Sequence, residues 1–408
     1  MNRKAASASQ STGMVATINR LPWGALLALA MAGFICILTE TLPAGLLPQI
    51  SAELGVSEAF AGQLVTLYAL GSTLAAIPLI TATRGWRRRP LLLLCLLVFL
   101  VFNTLTSLSS NYILTLVARF FAGVAGGVVW GITAGYARRM VHESLKGRAL
   151  AVAMIGAPLG LLLGVPLGTF VGGIVGWRLV FGILSLLALP LILWVLKAVP
   201  DFPGQAAEKR LSLVKVFMMP GVRSVLFVVL LWVLAHNVLY TYIAPFLAQA
   251  GLSDRVDLIL LVFGMASFIG IWGIGMLIDR WLRGLTLASL AGFAVVSVLL
   301  GIGSDQPVVI YLSVALWGLT FGGAGTLLQT AIAETAGENA DVAQSMLVTG
   351  WNLAIGCGSI VGGILLGTLG IGNFPWILLL LLILALVVTA RAKEHGFVPR
   401  SNREMKSK

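Results

Sequence analysis

Residues Leu21–Thr39, LPWGALLALAMAGFICILT, carry no charged side chain. A bilayer core about 30 Å thick needs about 20 such residues in a helix. The run follows Arg3, Lys4 and Arg20, as a secretory signal would. A signal's apolar region is only about 7–15 residues long, however. This run reaches Thr39, meets Glu40 and resumes, so it reads as a retained first membrane span.

The rest of the chain repeats the pattern. Of 408 residues, 59% are hydrophobic and 10% charged, against roughly 25% charged in a soluble domain. Lipid is the solvent that suits such a surface, and only helices or closed barrels satisfy the backbone there. Apolar runs of span length fall near 22–47, 60–80, 90–109, 112–136, 148–172, 178–198, 223–248, 257–279, 285–303, 307–333, 342–368 and 374–392. The expectation is an all-α membrane protein of twelve transmembrane helices.

The formal charge of +12 would suit nucleic acid, but its placement argues otherwise. With the N-terminus inside, all but three of the 27 Lys and Arg fall on inner segments. The exceptions are Arg178 and Arg255 outside and Arg119 within a span. That bias predicts cytoplasmic termini. One inner loop, Glu334 to Asp341, is acidic and lacks Lys and Arg.

The longest polar connection, Lys197 to Arg223, has six spans on each side. Laid on itself so that Glu40 meets His236, the chain also aligns Thr83-Arg84 with Asp279-Arg280, Gly126-Gly127 with Gly322-Gly323, and Gly160 with Gly356. The reading is two pseudo-symmetric six-helix halves with a substrate site between them near the bilayer midplane. Its divisions are a cytoplasmic tail (1–21), an N-terminal half (22–198), a cytoplasmic linker (199–222), a C-terminal half (223–392) and a cytoplasmic tail (393–408).

These features carry a resemblance to the major facilitator superfamily, specifically the twelve-span drug:proton antiporter family. ETLPAGLLPQISAELGVSEAFAGQLVTLYALG from Glu40, YTYIAPFL from Tyr240, and ADVAQSM with NLAIG from Ala340 onward are similar to bacterial sugar, arabinose and purine-nucleoside efflux proteins. The family's loop motif G-x-L-a-D-R-x-G-R-R appears after the second span as LITATRGWRR, with Leu79 and Thr83 at the usual Gly and Asp positions. The second-half copy, GMLIDRWLR from Gly275, keeps both. The resemblance implies a gating role for Arg84, Asp279 and Arg280. The basic run from Arg84 also reads as an orientation anchor. The fourth-span motif, LVARFFAGVAGG, retains Arg119, and the fifth-span antiporter motif is partial in GAPLGLLLGVPLG.

In the fifth span Gly156, Gly160, Gly164, Gly168, Gly172 and Gly176 recur at every fourth residue, with Pro158 and Pro166 among them. Each such step overshoots a turn by about 40°, which makes a winding ridge of close backbone approach. Tight packing and a sliding seam for rocking helices are both open.

Two charged side chains, Glu40 and Arg119, lie well inside spans, at a cost of at least about 2.5–3.5 kcal/mol each. Measured from Ile50 and Tyr112 at the helical rise, they sit about 15 Å and about 11 Å deep from the same side. Three readings of Glu40 stay open: an ion pair with Arg119, a substrate ligand, or a proton carrier. As a carrier it would bind proton and substrate in mutual exclusion, which is antiport. His236, at the symmetry-related position, is the second candidate carrier. Thr66, Tyr68, Trp130, Asn237, Tyr240, Tyr242, Trp317, Gln329, Trp351 and Asn352 are candidate cavity residues.

Cys36, Cys95 and Cys357 form no CxxC or Cys/His pairing, so no metal or disulfide is expected. No phosphate-binding loop, zinc-protease or nucleophile-elbow motif occurs, so the chain is not read as an enzyme and no cofactor is expected. The expected function is a proton-coupled exporter of sugars, nucleosides or drugs, working as a monomer in the bacterial inner membrane with a small solute and protons as partners. An uptake symporter, a passive facilitator and a non-transporting receptor are the alternatives.

Overall fold

A computed structural model describes residues 20–76, 78–83, 85–142, 145–204 and 213–397. The tail ends, residues 205–212 of the linker, and Arg84 lie outside the described residues. Among those described, the regular structure is helical without strands, and ten helices are long and apolar enough to cross a bilayer. The longest, Ser253–Gly303, has 51 residues and would reach about 77 Å, more than one crossing needs. It bends at Trp281, where φ −125° and ψ 23° are not helical. Residues 256–280 and 282–303 are therefore the eighth and ninth spans. The second span, Glu58–Ala76 continued by Pro78–Ala82, completes the twelve.

The remaining spans are Trp23–Gly45, Arg88–Leu108, Tyr112–Arg139, Lys146–Val175, Trp177–Ala198, Val222–Thr241, Pro307–Ala336, Ala340–Thr368 and Phe374–Arg391. The fifth and sixth are joined by Gly176 alone, at φ +87°. A side chain there would be strained, and the two helices could not reverse so tightly. Twelve crossings put both chain ends on one face, called here the terminal face.

Glycine decides how closely the spans approach. In the first half Gly71, Gly123 and Gly127 hold the second and fourth spans at backbone contact, against Phe120, Tyr68 and Ser72. In the second half Gly270, Gly318 and Gly322 do the same for the eighth and tenth, against Leu319, Phe263 and Ser267. One crossing is thus built twice, as the internal repeat implies. In lipid such contact is held by dispersion between close backbones.

The fifth-span glycines pack closely against the first span. Gly156 meets Ala30, Gly160 meets Ile37, Gly164 meets Leu38 and Phe34, Gly168 meets Leu42, and Gly172 meets Leu46. All six partners belong to the first span or its extension, so the stripe packs within the first half. Where fifth and eighth spans meet across the halves, the glycine is Gly264, set against Leu161 and Leu162. Those two leucines lie in a π-helical turn, Gly160–Gly164. Pro158 and Pro166 flank it, and each removes a backbone N–H from the ladder.

On the face opposite the termini the halves are tied together. The Tyr242 ring fills a slot lined by Gly62 of the second span and by Gly362 and Gly363 of the eleventh. Its hydroxyl lies 2.8 Å from the Ser359 carbonyl oxygen and 3.4 Å from that of Ala59. Nearer the middle, Thr66 donates to the Gly356 carbonyl at 3.5 Å.

Candidate functional site in the seam between the halves

Arg119 is fully buried. It enters on the fourth span and spreads its guanidinium between the first and second. Nε donates to the Leu64 carbonyl and Nη2 to the Glu40 carbonyl, each at 3.3 Å, while Nη1 has no partner. The guanidinium also lies 4.9 Å from the Tyr68 ring centroid and 5.5 Å from that of Phe181, within cation–π range. The two residues do come together. They meet through Glu40's backbone rather than as a carboxylate–guanidinium ion pair. The reason is directional: a helix carbonyl points along the axis, and its second lone pair is free for a buried donor.

Glu40 itself is 5% exposed. One turn before it, Cys36 places Sγ 3.2 Å from the Tyr68 hydroxyl, which also donates to the Cys36 carbonyl at 3.3 Å. One turn earlier again, Gly33 accommodates the Trp130 ring. Gly33, Cys36 and Glu40 thus form one stripe of the first span. Tyr68, Trp130 and Arg119 flank it.

The second half answers with an aromatic box. His236 stacks face to face on Phe321, with centroids 3.6 Å apart and planes 3° from parallel. Tyr240, Trp317 and Phe263 stand 5.1, 5.2 and 5.8 Å from the same imidazole. Phe293 backs Trp317 at 5.8 Å, and Trp232 and Trp351 flank Phe321 at 6.1 and 6.2 Å. The imidazole Nδ1 is buried without a hydrogen-bond partner. Phe321 and Trp351 are partly exposed, so the box is reached from their side.

The remaining candidates divide. Asn237 and Asn352 are buried, but each bonds back to its own helix, at Val233 and Val348. Gln329 is exposed, and its carbonyl accepts from Gln344 at 2.7 Å. Tyr242 belongs to the closure between the halves. Asp279 and Arg280 are exposed beside the Trp281 bend. Sequence reasoning missed Phe321, Phe263, Phe293 and Trp232. Trp232, His236 and Tyr240 recur at every fourth residue, as do Trp317 and Phe321, and that spacing marks a shared helix face.

It also missed Asp201. Asp201 accepts from Arg87 Nε at 2.6 Å and from the Arg89 backbone N–H at 3.2 Å. Tyr136 donates to the Pro200 carbonyl at 2.7 Å, and the Arg88 N–H to that of Phe202 at 2.9 Å. Arg139 donates to the Pro203 carbonyl at 2.9 Å and covers the Phe202 ring at 5.0 Å. The start of the linker is thereby clamped onto the loop that has Thr83 where the family motif has its Asp. Burial alone would push the Asp201 carboxyl up, but the bonds from Arg87 and Arg89 hold it below the ordinary carboxylate range.

A bundle of twelve spans in two repeated halves, with a buried charge in one half and an aromatic box in the other, is the build expected of a membrane transporter. The family model described as Major Facilitator Superfamily matches residues 29–345, and the chain belongs to that superfamily. The purine ribonucleoside efflux pump NepI of Escherichia coli (strain K12) is 31% identical over 382 residues, covering 92% of this chain and 96% of the relative. Its counterpart in Shigella sonnei (strain Ss046) matches to the same extent. Among solved structures, the nucleoside transporter NupG, crystallised as a point mutant, superposes with a TM-score of 0.71 at 15% identity, over 90% of this chain and 98% of that one. A bacterial homolog of the human lysosomal transporter Spinster gives 0.67 at 15% identity, over 95% and 99%. The protein is a multi-pass secondary transporter and not an enzyme.

Proposed function

We propose that this transporter exports purine nucleosides or closely similar solutes in exchange for protons. It would act as a monomer in the bacterial inner membrane with both termini cytoplasmic. The observation that carries the reading is the end-to-end relationship to purine ribonucleoside efflux pumps, at 31% identity over nearly the whole of both chains. The lopsided placement of Lys and Arg supports the orientation. Glu40 is the proton carrier in this reading, because it is the carboxylate set within the first span beside the Arg119 bridge. A bound solute and a bound proton would then compete for the same state of the seam. Substrate would reach the seam from the terminal face, since the opposite face is closed around Tyr242.

Proteoliposomes with an imposed pH gradient test this. Inosine, guanosine, sugars and amphenicols are offered to the wild type and to Glu40→Gln. The expected result is that a nucleoside dissipates the gradient in the wild type alone, while Glu40→Gln still exchanges labelled nucleoside. Equal nucleoside movement in both without proton flux makes the protein a facilitator.

A further inference from the structure

A histidine is a poor choice for the middle of an aromatic box. His236 is 8% exposed, and its Nδ1 finds no partner. A phenylalanine would fill the same space without leaving a polar atom dry, and unsatisfied buried groups call for an explanation. The second peculiarity is the contact itself. The imidazole lies on Phe321 at 3.6 Å and 3°, which is the spacing and tilt of a stacked heteroaromatic base. No other aromatic contact in the chain is so close or so nearly parallel among the described residues. The third is access, because Phe321 and Trp351 are partly exposed while Trp317 and Tyr240 behind them are buried. Finally, the imidazole's unpartnered Nδ1 means that moving the ring aside breaks no bond at that nitrogen.

We propose that the Phe321 face now covered by His236 is the docking platform for the flat heteroaromatic ring of the transported solute, and that His236 is its placeholder. The imidazole occupies the slot in the empty transporter and leaves it when the solute's ring enters. The platform keeps its stacking partner in both states, so the box does not collapse between cycles. A sugar or other non-planar solute has no flat π face to set against Phe321 and competes poorly with the stacked histidine. This inference rests on the nucleoside reading for the identity of the ring, and it adds where the ring binds and what it competes with.

The test is binding of inosine, hypoxanthine and ribose to purified full-length protein in detergent, by calorimetry, for the wild type, His236→Ala, His236→Phe, Phe321→Leu and Phe321→Trp. A placeholder predicts inosine affinity in the order Ala, His, Phe at position 236, with about threefold or more at each step, because the covering ring competes with the base. Removing the platform in Phe321→Leu weakens inosine and hypoxanthine by about tenfold or more, the scale of one lost base–aromatic stack, and leaves ribose unchanged. Phe321→Trp keeps the affinity. If His236 instead bonds the solute, Ala and Phe are both weaker than the wild type, and the placeholder is overturned. If Phe321→Leu binds inosine as the wild type does, the platform is overturned while nucleoside transport stands. A wild type that binds ribose but neither inosine nor hypoxanthine overturns both. Melting curves identify a variant that fails to fold. Saturation-transfer NMR on the wild type needs no variant: base protons should saturate more strongly than ribose protons, and the reverse refutes the platform.

Discussion

Gly264→Ala is the smallest change that probes the surface on which the halves move. A Cβ on Gly264 would lie 2.7 Å from Leu162 Cα, 2.8 Å from the Leu161 carbonyl oxygen and 3.2 Å from that of Leu162. Non-bonded carbons rest about 3.5–4.0 Å apart. The eighth span must therefore retreat from the fifth by about 1 Å. No rotamer change relieves this, because the obstacles are backbone atoms of the π-helical turn Gly160–Gly164. Overpacking of this kind costs about 1–3 kcal/mol. If the contact loosens when the opposite face opens, the alanine shifts the balance of the two states by about 5–150-fold. The assay is labelling of a cysteine placed at Ala59, beside the Tyr242 slot, from the outside of intact cells, with transport rate measured in parallel. Gly273→Ala is the control on the same span, since nothing lies within 4 Å of a Cβ there. Gly264→Ala should speed labelling and slow transport. Equal behaviour of the two variants would refute the claim that this crossing is remade during the cycle.

Other perturbations have equally definite outcomes. Tyr242→Phe keeps the ring in its glycine slot but removes the hydroxyl 2.8 Å from the Ser359 carbonyl; at about 1 kcal/mol for one hydrogen bond, the Ala59 position should label several-fold faster, and an unchanged rate means the ring alone holds the closure. Asp201→Asn should melt about 0.2–1 kcal/mol less stable at neutral pH, since Arg87 is two-thirds exposed and screened. The Asp201 carboxyl titrates below its ordinary range when folded, so the clamp is complete above about pH 4 and lost as pH falls further. The gap between wild type and Asp201→Asn should therefore close on acidification, and a constant gap down to about pH 3 would exclude the charge as its cause. Glu40→Gln should uncouple nucleoside exchange from the pH gradient, as described above; a variant that still responds fully to the gradient removes Glu40 from the proton path.

Much of the site was legible in the sequence because lipid makes polarity conspicuous. Glu40 and Arg119 stood out as charges in apolar runs, and counting helical rise put them within reach of each other, where the structure has them in contact. Their mode of contact was not legible, since chain position fixes the height of a residue and not the direction of its side chain. Repeated small residues pointed to close packing, but periodicity cannot name the neighbour, and the fifth-span ridge faces the first span rather than the other half. Asp201 was hidden for a related reason. It lies in the linker, and only folding brings it to Arg87 and to the loop whose own carboxylate position is Thr83.

What the sequence determined by itself is therefore what a one-dimensional pattern can encode under a strong solvent constraint: helices, their number, the internal repeat and the few polar groups that the membrane must accommodate. Tertiary structure alone decided the pairings. It set Arg119 on two carbonyls, His236 on Phe321, and Gly264 against the π-helical turn. Each of these brings together residues on different helices, and their distance in space depends on crossing angle and rotation about the helix axis, neither of which is written in the spacing along one chain.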